Sequence, residues 1–83
     1  MNTIKLSNVT LYEFRQFLFD QGCSQQEGKG GHEKWVRNDL QRPIVLQSHI
    51  DPVPEMVVRS NLRTIGVSRQ LFEDWLLKRR KKH

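Results

Sequence analysis

The spacing of apolar residues changes at Gly22, and that change confines this chain to folds that join a helix to a sheet. Upstream, Leu11, Phe14, Phe17 and Leu18 make one stripe of a helix expected over residues 10–20. Thr10 suits the N-cap, and Glu13 three residues on completes a capping box in which each side chain satisfies an orphan backbone amide. Gly22 supplies the positive φ that ends the helix. Tyr12 and Phe19 fall partly off the stripe, where they either widen it or meet a partner.

Downstream of Gly22 the segments are short. Residues 23–27 are a strand candidate, and Gly28-Lys29-Gly30-Gly31 has too much backbone freedom to be anything but a turn. Residues 32–37 read as a second strand, broken by Asn38-Asp39, and residues 42–48 as a third, with Pro43 near its start where a missing donor is tolerated. Asp51-Pro52-Val53-Pro54 cannot continue a strand, and Pro54 suits the first turn of a helix over 54–65 that buries Val58, Leu62 and Ile65 and closes at Gly66. Ser68 caps a third helix with Leu71, Phe72, Trp75 and Leu76 on one broad face. The expected class is α+β: a helix, a three-stranded antiparallel meander and two C-terminal helices that cover the apolar face of the sheet.

A chain of 83 residues feeds one core, so a single domain over 1–77 is expected, with a basic tail over 78–83. No apolar run approaches the ~20 residues of a membrane helix. The opening residues carry neither an apolar core nor a small-residue cleavage site, so cytoplasmic residence is the expectation. A lone Cys23 makes no internal disulfide, and His32, His49 and Cys23 are not spaced as metal ligands, so neither a metal nor another cofactor is expected. The net charge of +5 equals the five bases from Lys78 to Lys82. The body is formally neutral, and contact with a polyanion must come from local clusters or from the tail.

His32 is the first candidate for chemistry. It follows Gly30-Gly31 at the mouth of a hairpin, where small neighbours let a ribose or phosphate approach, and an imidazole both takes and gives protons near neutral pH. The alternative is an exposed histidine at a strand start with no chemical task. Lys29, Lys34, Arg37 and Arg42 surround it, set against Glu33 and Asp39. Alternation puts Lys34 on the face of His32, and Glu33 on that of Trp35 and Arg37. These bases either contact phosphates or form a hydrated face, and Trp35 either stacks on a base or packs in the core. His49, after the third strand, is either a second proton-transfer group brought near His32 or a structural histidine. Only Gly66-Val67-Ser68 separates the last two helices, which admits a helix-turn-helix on DNA. Simple packing of Val58, Leu62, Ile65, Leu71 and Trp75 onto the sheet accounts for the same pattern.

From Leu11 to Phe72 the chain resembles the HicA-type messenger-RNA interferase toxins of bacterial toxin and antitoxin pairs. The resemblance lies in the helix ending at Gly22, in Gly30-Gly31-His32, in Ile44-Val45-Leu46 before His49, and in Val58-Arg59-Ser60, Leu62 and Gly66-Val67-Ser68. It implies a double-stranded-RNA-binding-domain-like (dsRBD-like) fold with an added third helix, and a HicB-type antitoxin that masks the catalytic histidine. The family's Gly-Ser-His motif falls on Gly30, Gly31 and His32, with Gly31 in place of serine. A proline-histidine pair followed by a lysine- and glycine-containing stretch is replaced by Ser48-His49 and the acidic Asp51-Pro52-Val53-Pro54-Glu55. The function this implies is metal-independent cleavage of messenger RNA, with His32 catalytic and with Lys29, Gly30, Gly31, Lys34, Arg37, Arg42 and His49 at the RNA. DNA contact is not expected of this chain itself, and any such contact is expected through the antitoxin. The alternative is a noncatalytic RNA-binding or partner-binding module on the same scaffold.

Overall fold

Thr10 and Glu13 make the capping box that the sequence predicts. The Thr10 hydroxyl accepts from the Glu13 amide, and the Glu13 carboxylate from the Thr10 amide, both at 3.0 Å. The helix they start, α1, spans Leu11–Asp20 in the computed structural model, which describes residues 4–81. It buries Leu11, Phe14, Phe17 and Leu18, the predicted stripe, and leaves Tyr12 and Phe19 exposed. Gly22, at φ 85°, turns the chain out of the helix.

Three strands follow: β1 (Ser24–Gln26), β2 (His32–Val36) and β3 (Ile44–Gln47), antiparallel in the order β1-β2-β3. The register pairs Gln26 with Lys34 and Lys34 with Val45, and it sets Glu33 opposite Leu46 and Trp35 opposite Ile44. Directly opposed residues share a face. Glu33, Trp35, Ile44 and Leu46 therefore point into the domain and are buried, whereas His32, Lys34, Val45 and Gln47 stand on the exposed face.

Helix α2 (Glu55–Ile65) buries Val58, Asn61, Leu62 and Ile65 and ends at Gly66 in the left-handed conformation. Ser68 caps helix α3 (Arg69–Lys81), its hydroxyl accepting from the Leu71 amide at 3.1 Å. Phe72 closes the core edge-on against Phe14 and Phe17, with centroids 5.7 and 4.7 Å away. Leu71 departs from the expected face. Phe72 and Leu76, four apart, set the buried direction of α3, and Leu71 lies about a third of a turn off it, exposed.

Two further differences concern the ends. Ile4, Leu6 and Val9 are buried around a single 3-10 turn, Leu6–Asn8, which the periodicity does not signal, and the Val9 carbonyl accepts from the Val53 amide at 2.9 Å. The expected basic tail is the last turn of α3 as far as Lys81. Positive charge complements the exposed carbonyls there, and Arg80 ties that turn to Glu13 at 2.9 and 3.0 Å and to the Asn8 carbonyl at 3.1 Å. Lys82 and His83 lie outside the described residues. Among the described residues no helix is long and apolar enough to cross a membrane.

Candidate functional site

The loop from β1 to β2 is shaped by its glycines. A side chain on Gly28 would place its Cβ 2.1 Å from the His32 carbonyl oxygen, so only glycine lets the two strands of backbone pass. Gly30 and Gly31 follow with φ of 52° and 76°, in the region that L side chains avoid. The loop then folds back on itself, with the Lys29 carbonyl accepting from the His32 amide at 3.3 Å. The Nδ1 atom of His32 lies 3.2 Å from that same carbonyl. A carbonyl only accepts, so Nδ1 carries the proton and Nε2 is the basic nitrogen of the neutral ring.

His49 arrives from the far side of the hairpin. The Ser48 amide donates to the Gly31 carbonyl at 2.7 Å, and the His49 Nδ1 lies 3.2 Å from where a Cβ on Gly31 would stand. The chain thus brings His49 against the residue that precedes His32, and both rings are exposed. A side chain on Gly31 would be strained by its positive φ and would press on the His49 ring.

Beside His32 opens a cavity of about 160 Å³ whose walls include Leu11, Leu46, Ile50, Val53 and Val57. It is below the size of a pocket for a drug-sized molecule and has room for a single ring-sized group. The loop that walls it is pinned to α1, because Asp51 Oδ1 accepts from the Leu11 amide at 2.9 Å.

The remaining predicted contacts separate into two groups. Lys29 is exposed in the turn itself, and Lys34 is exposed two residues along β2 on the outward face. Lys29, Gly30, Gly31, His32 and His49 thus meet at one end of the hairpin, with Lys34 on the adjoining surface. Arg37 and Arg42 belong to the other end, and a strand rise of about 3.3 Å per residue puts the Arg37 backbone roughly 16 Å from that of His32. Arg42 is exposed there. The Arg37 guanidinium is committed to the fold: it bonds Asp39 at 2.6 and 3.1 Å, the Gln21 carbonyl at 2.6 Å and the Ile65 carbonyl at 3.5 Å, tying down the ends of α1 and α2. Trp35 is a core residue.

One pair that positions the candidate site escapes the sequence reading. Glu33, buried on the inward face of β2 next to His32, accepts from Arg15 Nε at 2.9 and 3.0 Å, from Arg15 Nη2, and from Trp35 Nε1 at 3.3 Å. The Arg15 hydrogen bonds hold the Glu33 carboxyl below its usual range although burial works against them. This pair fixes β2 on α1 and so fixes where His32 stands. The available signal was the alternation itself: a carboxylate sharing a face with a core tryptophan requires a cation or hydrogen-bond donor to partner it.

Among the described residues no three His, Cys, Asp or Glu side chains gather into a group able to hold a metal ion. No family model matches the chain, and neither does any curated protein or solved structure among those compared.

Proposed function

We propose that this protein is an endoribonuclease of the HicA type, a messenger-RNA interferase on a dsRBD-like scaffold, held inactive by a HicB-type antitoxin that covers His32. The observation that carries the reading is the exposed His32 imidazole at the rim of the apolar cavity, its Nδ1 proton engaged by the Lys29 carbonyl. Nε2 is then free to act as a base.

In the proposed reaction His32 Nε2 takes the proton of the ribose 2′-hydroxyl, and the 2′-oxygen attacks the adjacent phosphorus. The bond from phosphorus to the 5′-oxygen breaks as the new bond forms. His49 in its protonated form, or a water molecule, gives that oxygen its proton, leaving a 2′,3′-cyclic phosphate and a 5′-hydroxyl end. The nucleophile comes from the substrate, so the step needs neither a metal nor a cofactor. Lys29 and Lys34 stabilise the charge that develops on the phosphoryl oxygens. The cavity takes the base beside the scissile phosphate, and its apolar wall sets the ring against side chains such as Leu46 and Val57.

The test uses labelled messenger RNA in the presence of a chelator, with wild-type and His32→Ala protein compared and product ends identified. Cleavage by the wild type alone, with cyclic phosphate ends, is the expected result. Equal cleavage by both removes His32 from the reaction. Binding without cleavage by either identifies the noncatalytic module.

A further inference from the structure

The basic turn of α3 lies at the same end of the molecule as His32. Leu11 lines the cavity beside the histidine, Tyr12 is the next residue of α1, and the ion pair of Glu13 with Arg80 sets the end of α3 on that first turn. We propose that Tyr12, Arg79 and Lys81 form a second contact for single-stranded RNA, gripping the strand that leaves the His32 cavity by one stacked base and its neighbouring phosphates. The inference rests on the RNA reading given above and extends it to a second site.

Three observations carry it. The Arg79 guanidinium lies between two aromatic rings, 5.3 Å from the centroid of Tyr12 and 5.5 Å from that of Trp75. Cation–π attraction holds the group in place, and its N–H donors, which make no hydrogen bond among the described residues, can take a phosphate in bidentate fashion. Tyr12 is 59% exposed and contributes nothing to the core, yet stands under a cation. Finally, three bases there have no ion-pair partner among the described residues, and the Asp20 carboxylate near Trp75 accepts from Trp75 Nε1 at 2.8 Å. Glu13 is occupied by Arg80, and among the described residues no ion pair takes Lys78, Arg79 or Lys81.

Complementarity to the helix dipole accounts for bases at a helix C-terminus. It does not account for an exposed aromatic ring set beneath one of them. A ring beside fixed cations matches the base-and-phosphate repeat of a single strand, for which stacking and charge act together.

The experiment measures binding to the full His32→Ala chain, which leaves the RNA intact, by fluorescence anisotropy. The probes are single-stranded RNAs of about 4 and about 16 nucleotides, the longer one sufficient to run from the cavity past α3. Tyr12→Ala and Arg79→Gln are each expected to weaken the longer RNA about tenfold and the shorter one less than about twofold. Arg79→Gln also lowers the salt slope by about one phosphate contact. Tyr12→Phe keeps the ring and restores binding, which separates the stacked contact from a folding defect. An equal loss for both lengths, or no loss for either, overturns the proposal. So does a long RNA that fails to bind while polyglutamate binds through Arg79, since that assigns the surface to an acidic protein. If the wild type cleaves nothing while binding of the longer RNA still depends on Arg79 and Tyr12, the second contact stands and the nuclease reading falls.

Discussion

The two ends of β2 carry similar residues in opposite roles. At the Val36 end, Arg37 has given its hydrogen bonds to Asp39 and to two carbonyls at the ends of α1 and α2. At the His32 end, the imidazole keeps its basic nitrogen free, and the nearby Lys29 and Lys34 are exposed. Charge counted along the sequence treats both ends alike. Hydrogen-bond accounting does not: a cation already holding two backbone carbonyls is part of the scaffold, whereas an exposed ring with one nitrogen fixed leaves the other open to a ligand.

The sharpest way to test that contrast is to remove each residue in turn. His32→Ala is expected to lower RNA cleavage at least about a hundredfold, with a melting temperature close to that of the wild type because the ring is exposed. Glu33→Ala leaves Trp35 Nε1 without its acceptor and frees the partly exposed Arg15 to return to water, and is expected to cost about 2 kcal/mol, read from the urea midpoint. Gly28→Ala forces the loop away from the His32 carbonyl. It should cost about 2 kcal/mol and also slow cleavage, which distinguishes it from a change confined to the fold. Arg37→Ala is expected to cost about 1 kcal/mol, seen in the same denaturation measurement, without the loss of RNA affinity that its charge alone would forecast.

The smallest effect concerns pH. Arg15 holds the Glu33 carboxyl below its ordinary value of 4.5, so its ionised form favours the folded state. That stability is present above the ordinary value and is lost as pH falls through the lower, folded one. Glu13, held down by Arg80, adds with the same sign. Urea midpoints taken from about pH 6 down to about pH 3 should therefore fall in the wild type and fall less steeply in Glu33→Gln.

What the sequence disclosed was mostly local. The capping box, Gly22, Gly66 and Ser68 act within a few residues of the helices they bound, and α1, α2 and α3 lie where those signals put them. The alternation along β2 gave the face of His32 correctly, and Gly30-Gly31 gave the turn. The strand β1 is the short polar run Ser24–Gln26 with no buried residue, and so it carries little periodic signal. Ile4, Leu6 and Val9 enter the core through an irregular segment with no period to read. The ion pair of Arg15 with Glu33 joins elements 18 residues apart, and that of Arg80 with Glu13 joins elements 67 apart. No local pattern distinguishes such cations from those left free. The commitment of Arg37, and with it the division of the basic residues into two groups, was hidden for the same reason.

The wall beside His32 draws on β3, on the segment after it and on Val57 in the first turn of α2. A chain leaving the ribosome presents its histidine early but has no walled cavity until α2 has emerged and docked. Under the proposed nuclease reading, half-made copies should accordingly be harmless to the messages around them, and activity should arrive late in synthesis, all at once.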